Sequence, residues 1–301
     1  MKRGTLILPW LLFLVFVSPL FSQAPAEANK YEADLIELTK LDKTIKLDIR
    51  YATDNNFTGR TVYPEARAFL QRPAAEALVR VHKKLEKQDL GLVIFDGYRP
   101  WAITKLFWEV VSPDQRKFVA DPAKGSKHNR GCAVDLSIFE RKTGALLDMP
   151  SGYDEFTERA SPGYKGATVL QTKNREMLRA LMEAEGFTVN PNEWWHFDYN
   201  GWQDYGIYDI AFSAIRDYDE LKGLWIRHIY FSGNETIRDH TVRRKVALAE
   251  ANIFDLKNLY KSVKGINSLG KFEKITEQNI SWTIDKEKKL VDLTFHLKQK
   301  R

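Results

Sequence analysis

An α+β architecture in two parts is what this 301-residue sequence predicts, and three observations carry that expectation. Segments of helical and strand periodicity follow one another in mixed order, without the regular βαβ repetition of a parallel sheet. Apolar side chains make up 44% of the chain and aromatics 12%, enough to bury a sizeable core and too much for a chain that stays disordered. Charge is divided: residues 222–301 carry 17 Lys and Arg against 9 Asp and Glu, whereas residues 27–221 balance at −4, so the end of the chain has its own electrostatic character.

The chain opens with Lys2 and Arg3, an apolar run over residues 5–21 and the small-residue exit Ala24-Pro25-Ala26, the pattern of an export signal cut after Ala26. Retention as a membrane anchor is the alternative, because residues 6–21 lie near the short limit for a span; Pro9 and Pro19 favour removal. No cysteine follows the run, so an N-terminal lipid is not expected. The mature protein is expected to work outside the cytoplasm. With Cys132 as its single cysteine, the chain forms no internal disulfide and no finger-type zinc site, so any metal must rest on His and carboxylates.

Residues 34–48 alternate loosely and run into Asp54-Asn55-Asn56, a strand entering a turn. Residues 65–87 follow the helical period, with Ala68, Leu70, Ala75, Leu78, Val81 and Leu85 sharing a stripe. Residues 91–95 are a short apolar run closed by Asp96-Gly97, which reads as a buried strand ending in a turn. A helix is expected over 102–111 after Pro100, a second buried strand over 132–138, a helix over 172–185 ended by Gly186, and an aromatic strand over 194–199. In the basic segment a strand over 224–231 and the turn Gly233-Asn234 precede helices over 238–250 and 255–269. Strands over 272–284 and 290–297 then flank the turn residues Asp285-Lys286-Glu287-Lys288. That order is β-α-α-β-β. No base-reading motif or aromatic–Arg platform accompanies the basic charge, so nucleic acid is not expected as a partner.

The chemistry concentrates in three short stretches. His128 lies in Ser126-Lys127-His128-Asn129-Arg130-Gly131-Cys132-Ala133-Val134-Asp135, and His196 lies in Glu193-Trp194-Trp195-His196. Asp135 between Val134 and Leu136 is costly to bury unless it is paired or bound to a cation. One arrangement satisfies them all: His128, Asp135 and His196 holding one zinc ion, with a fourth position open to water and Glu193 as the base that takes a proton from that water. A lone Glu-x-x-His is more often a satisfied core pair; the combination is more specific than its pieces. The third stretch, Asp96-Gly97-Tyr98-Arg99-Pro100, ends a buried strand. Arg99 reads either as half of a surface ion pair with Asp96 or as the group that stabilises an oxyanion in a cleft.

Asp96-Gly97-Tyr98-Arg99-Pro100, Ser126-x-His128-x-x-Gly131-x-Ala133-x-Asp135 and Glu193-Trp194-Trp195-His196, in this order, resemble the D-alanyl-D-alanine dipeptidases, zinc peptidases of the D-Ala-D-Ala peptidase superfamily. The resemblance extends from near Tyr51-Ala52-Thr53 to about Phe212. It implies a zinc D-Ala-D-Ala metallopeptidase fold over residues 27–218, with His128, Asp135 and His196 as metal ligands, Glu193 as acid/base and Arg99 as the transition-state stabiliser. It further implies substrate contacts from Tyr51, Ser126 and Asp154, with Asp154 holding the free ammonium end. One departure stands out: the well-known members that act on cytosolic D-Ala-D-Ala lack an export signal. A D,D-carboxypeptidase acting on longer peptidoglycan stems and a non-catalytic envelope-assembly factor are the alternatives.

Phe231-Ser232-Gly233-Asn234, Thr236, Arg243-Arg244, Phe254, Leu259, Ser262 and Leu269-Gly270-x-Phe272 resemble a polypeptide-transport-associated (POTRA) domain over residues 223–299. Where that family commonly has Gly-Asp before the aromatic, this chain has Ala251-Asn252-Ile253-Phe254. The resemblance implies a periplasmic location at the outer membrane and an envelope protein partner, reached by strand addition to an open sheet edge. A basic accessory unit lying on an anionic envelope surface is the plainer reading. His228, His240 and His296 lack clustered carboxylates and read as structural.

Overall fold

The computed structural model describes residues 23–300. The expected export signal therefore lies outside the described residues, apart from its last four, which form neither helix nor strand. Among the described residues no helix is long and apolar enough to cross a membrane.

Among the described residues two large hydrophobic cores organise the chain, one built from residues between Leu35 and Phe212 and one from residues between Tyr218 and Leu297, beside a small cluster of Val93, Phe95 and Phe139. The first surrounds a five-stranded sheet of β2 (Lys46–Leu47), β4 (Leu90–Asp96), β5 (Ala133–Glu140), β6 (Phe187–Asn190) and β7 (Glu193–Tyr199), in the order β2-β4-β5-β7-β6. Only β2 and β4 run parallel. A small antiparallel pair, β1 (Leu35–Glu37) with β3 (Phe69–Gln71), lies beside it. Helix α2 (Arg72–Glu86) packs on β4, α4 (Val169–Glu183) packs on β6 and β7, and the two helices touch. Along β5, Val134, Leu136 and Ile138 join this core, so the alternate residues, Asp135 among them, face the other way.

Several expected elements are shorter than their sequence pattern. The strand expected over 34–48 breaks into β1, the single turn α1 (Leu38–Leu41) and β2, because the Asp42 carboxylate accepts from both the Thr44 amide (2.9 Å) and its hydroxyl (2.6 Å) and closes a turn. The helix expected from residue 65 begins at Arg72: Phe69–Gln71 pairs with β1, and Pro73 is tolerated only in a first turn. Helix α3 (Trp101–Val110) follows Pro100 as expected.

The second core covers a three-stranded sheet in the order β8-β10-β9, with β8 (Trp225–Ser232) parallel to β10 (Leu290–His296) and β9 (Ile280–Asp285) antiparallel to it. Helices α5 (Asp239–Arg243) and α6 (Leu256–Asn267) complete the β-α-α-β-β order. The first of them is much shorter than its periodicity, since the amides of Ala247 and Leu248 turn to the Ser262 hydroxyl (2.9 and 3.3 Å) instead of continuing the helix. Residues 276–279 form a capped turn, so β9 starts at Ile280 rather than near Phe272. Polar contacts join the two parts: Arg72 bridges Asp34 and Asp219, and Arg216 donates to the carbonyls of Glu277 (3.1 Å) and Ile280 (2.7 Å).

Gly233, after β8, has φ +75°, and a Cβ there would sit 1.9 Å from the Leu297 carbonyl oxygen. Gly233→Ala is therefore expected to destabilise the chain by at least about 2 kcal/mol, the left-handed penalty adding to a backbone clash. Urea unfolding followed by the fluorescence of the tryptophans checks this; an unchanged midpoint would contradict the left-handed turn at Gly233.

Candidate active site

Cross-strand register assembles the site. Asp96 on β4 faces Asp135 on β5, and Asp135 in turn faces His196 on β7. A bulge between Ile94 and Asp96 re-aims Asp96 into that row. A second irregularity, between Val189 and Asn190 opposite β7, lets Glu193 and His196 converge although three residues apart on a strand; the Glu193 Oε2 to His196 Nδ1 distance is 3.6 Å. His128 arrives from a single 3₁₀ turn, His128–Arg130, closed by Gly131 at φ +67°.

His128 Nε2 lies 3.2 Å from His196 Nδ1, and Asp135 Oδ1 lies 3.4 Å from the first and 3.0 Å from the second. Each imidazole has its other nitrogen engaged: His128 Nδ1 donates to the Gly97 carbonyl at 2.7 Å, and His196 Nε2 donates to Asp198 Oδ1 at 2.9 Å. Those partners put the ring protons on the outer nitrogens, so two nitrogen lone pairs and a carboxylate oxygen point at one another. Asp135 Oδ1 is buried and makes no hydrogen bond. Three converging lone pairs repel unless a cation stands among them, and two imidazoles with one carboxylate is a donor set that suits zinc. In the absence of a metal, a proton serves. Burial opposes a charge on His196, but the adjacent carboxylates of Asp135 and Asp198 more than offset it and push its pKa up to about 10.

The other expected residues line the same cleft of about 290 Å³: Tyr51, Arg99, Ser126, Asp154 and Glu193. Arg99 is buried and donates twice to Asp96 Oδ2, from Nε at 2.9 Å and Nη2 at 2.6 Å. The surface ion pair weighed from the sequence is thus an interior one. Burial works against the guanidinium's charge; Asp96 more than offsets it and keeps Arg99 protonated. Phe107 and Tyr51 lie under its plane, 4.8 and 5.4 Å away. Burial raises the Glu193 carboxyl, against the pull of His196, and its Oε2 accepts from Asn190 at 3.2 Å. Burial also raises Asp154 well above the ordinary range, with Asp135 and Glu193 adding to the effect. Tyr51 donates to Asp154 Oδ2 at 2.8 Å, and Asp154 sits at φ +56°, a conformation Asp and Asn tolerate better than most residues. Ser126 Oγ accepts the His128 amide at 3.2 Å, which leaves its hydroxyl proton to donate elsewhere.

Four neighbours were not among the expected site residues. Tyr153 donates to Asp135 Oδ2 at 3.1 Å, and Asp96, besides holding Arg99, accepts from Tyr63 at 2.8 Å. Asp198 takes the outer nitrogen of His196, and Lys127 bonds Asp198 at 2.9 Å. Burial opposes ionisation of Asp198, but His196 and Lys127 more than offset it and lower its pKa. Two of the four left a signal: Asp96 stands in the stretch that supplies Arg99, and Asp198, two residues past His196 on a strand, shares that residue's face.

A second cluster, Asp42, His82 and Glu86, has metal-like spacing and was not anticipated. Its hydrogen bonds exclude that use. His82 Nδ1 accepts the Leu92 amide at 3.0 Å, so Nε2 carries the ring proton and meets Thr44 Oγ1 at 2.8 Å; Thr44 passes its own proton to Asp42. Lys83 pairs with Asp42 (2.7 Å) and Glu86 (2.8 Å), and Arg141 pairs with Glu86. The cations are already present.

Residues 31–215 match the family model described as D-ala-D-ala dipeptidase, and residues 225–300 match the POTRA model, described as surface antigen variable number repeat. The chain is 33% identical over 182 residues to the D-alanyl-D-alanine dipeptidase of Escherichia coli (strain K12), covering 60% of this chain and 93% of that one. It is 31% identical over 183 residues to the D-alanyl-D-alanine dipeptidase of Enterococcus faecium, covering 54% and 91%. Among solved structures it is similar to the LdcB LD-carboxypeptidase, with 17% identity, a TM-score of 0.34 and 62% and 81% of the two chains covered. With a family match over more than half its length, the chain belongs to the D-ala-D-ala dipeptidase family of metallopeptidases, extended by a C-terminal POTRA-like part.

Proposed function

We propose that this chain is an exported zinc-dependent dipeptidase that hydrolyses D-Ala-D-Ala or a related cell-wall dipeptide, with a peptidase unit over residues 27–218 and a POTRA-like unit over 223–299. The observation that carries the proposal is the convergence of His128 Nε2, His196 Nδ1 and Asp135 Oδ1 within 3.0–3.4 Å, with the Glu193 carboxylate 3.6 Å from His196. The two relatives named as D-alanyl-D-alanine dipeptidases support the substrate class.

His128, Asp135 and His196 would hold the zinc ion. Zinc bound there supplies Lewis-acid polarisation and a lowered water pKa. Glu193 accepts the proton of the attacking water, for which a carboxyl raised by burial is better matched than an ordinary one, and returns it to the leaving amine. Arg99, held rigid by Asp96, donates to the oxygen that gains charge as the carbonyl becomes tetrahedral. Asp154 and Tyr51 take the substrate ammonium, and Ser126 offers a donor to the rest of the peptide. A buried carboxyl whose empty state favours the neutral form gains a counter-ion only when a free amine binds, which selects dipeptides over longer stems with blocked amines.

The test combines substrate and variant. The parent protein is expected to cleave D-Ala-D-Ala at least about a hundredfold faster than its N-acetyl derivative, since a missing buried ion pair is worth several kcal/mol. Asp154→Asn is expected to erase that preference and to raise the melting temperature at pH 7 by a few degrees. The sign follows from the raised carboxyl: above the unfolded-state pKa the unfolded chain sheds a proton that the folded chain keeps, so stability falls as pH rises, and Asn removes that cost. Equal rates on free and acetylated substrates in the parent would favour the carboxypeptidase alternative.

Outside the catalytic unit, the +8 segment and its POTRA match support a periplasmic setting and an envelope protein partner, bound as an added strand.

A further inference from the structure

We propose that Lys127 and Asp198 are a positioning pair for the metal centre, with Asp198 fixing His196 and Lys127 fixing Asp198. The inference rests on the reading of His128, Asp135 and His196 as metal ligands. His196 Nε2 lies 2.9 Å from Asp198 Oδ1, while Lys127 Nζ lies 2.9 Å from Asp198 Oδ2, so the carboxylate spends one oxygen on each. On β7 the two residues are two apart and face one way, opposite Asp135 and Ala133 of β5. That bond holds the ring proton on Nε2 and the lone pair on Nδ1, the atom 3.0 Å from Asp135 Oδ1. A rotated ring would present a proton to Asp135 instead.

Lys127 adds a second function because of where it sits in the chain. It lies between Ser126 and His128, on the loop that supplies one ligand, yet its charge lands on the strand that supplies another. Its ammonium also stands 5.3 Å from the centre of the Trp202 ring, beside Arg130 at 5.4 Å. The bridge therefore ties the two ligand-bearing segments together before a metal arrives, which lowers the ordering cost of binding one. Lys127 lines the cleft with its ammonium bound to Asp198, and Asp198 itself lies outside the lining.

The experiment measures zinc affinity of the full mature chain by competition with a chromophoric chelator, for the parent, Asp198→Asn and Lys127→Met. Asp198→Asn is expected to weaken zinc binding by about ten- to a hundredfold and Lys127→Met by a smaller factor of about three to ten. At saturating zinc, KM for the dipeptide should stay within about twofold of the parent in Asp198→Asn, because Asp198 does not line the cleft. Lys127 is partly exposed, so its variant keeps the test available should Asp198→Asn fail to fold. A parent chain that binds no zinc would sink the metal reading itself. A parent that binds zinc while both variants match its affinity would overturn the positioning pair alone.

Discussion

Glu193→Gln is expected to lower kcat/KM for D-Ala-D-Ala by at least about a thousandfold while zinc binding stays stoichiometric. The size follows from its two proton transfers, from the attacking water and to the leaving amine; removing a positioned acid–base group costs about a hundred- to ten-thousandfold. The amide is nearly the same size as the carboxyl and its oxygen can still accept the Asn190 side chain, so the pocket keeps its shape and only the basicity goes. Because Glu193 lies 3.6 Å from His196 Nδ1 and outside the closest trio, metal content should hold. Zinc quantified by atomic emission, beside stopped-time release of D-alanine, separates the two effects. Turnover within tenfold of the parent would remove Glu193 from the mechanism and move the search for a base elsewhere in the cleft.

Removal of the metal is expected to abolish turnover and to lower stability together. Without a cation, His128, His196 and Asp135 are left with a buried cluster of mutually repelling lone pairs, relieved only by taking up a proton. Dialysis against a chelator should reduce dipeptide hydrolysis to background, and zinc, added back, should restore it. Zinc at about a hundred times its dissociation constant contributes about 2.7 kcal/mol to the folded state, several degrees of melting temperature for a chain of this size. Affinity should fall as pH falls, since a proton competes for the same nitrogen of His196, whose pKa is pushed up to about 10. Asp135→Ala removes the buried oxygen and is expected to abolish that zinc-dependent gain in stability. Undiminished hydrolysis by protein shown to be metal-free would end the metallopeptidase mechanism proposed for these residues.

The amino-acid sequence by itself determined the architecture in two parts, the β-α-α-β-β order of the second, and the residues now found around one cleft. Most of those features are local or compositional: periodicity marks strands, and chemistry-bearing side chains stand out against apolar neighbours at Asp135 and His196, whereas Tyr51, Ser126 and Asp154 were implied only by the family resemblance. Where local pattern misled, a long-range contact had won. Residues 65–71 carry helical spacing but β1 claims Phe69–Gln71, and the amides of Ala247 and Leu248 turn to the hydroxyl of Ser262 on α6. Only tertiary structure decided that Asp96 and Arg99 pair inside the protein, that Tyr153 holds the second oxygen of Asp135, and that Lys127 reaches Asp198. It also decided that the cluster of Asp42, His82 and Glu86 is filled by its own cations and ring proton. Such facts depend on strand register, on two irregularities in pairing and on which ring nitrogen meets a carbonyl. Sequence spacing does not encode these quantities, because they depend on which segments pair, as when Asp96 meets Asp135 and Lys127 meets Asp198 across long stretches of chain.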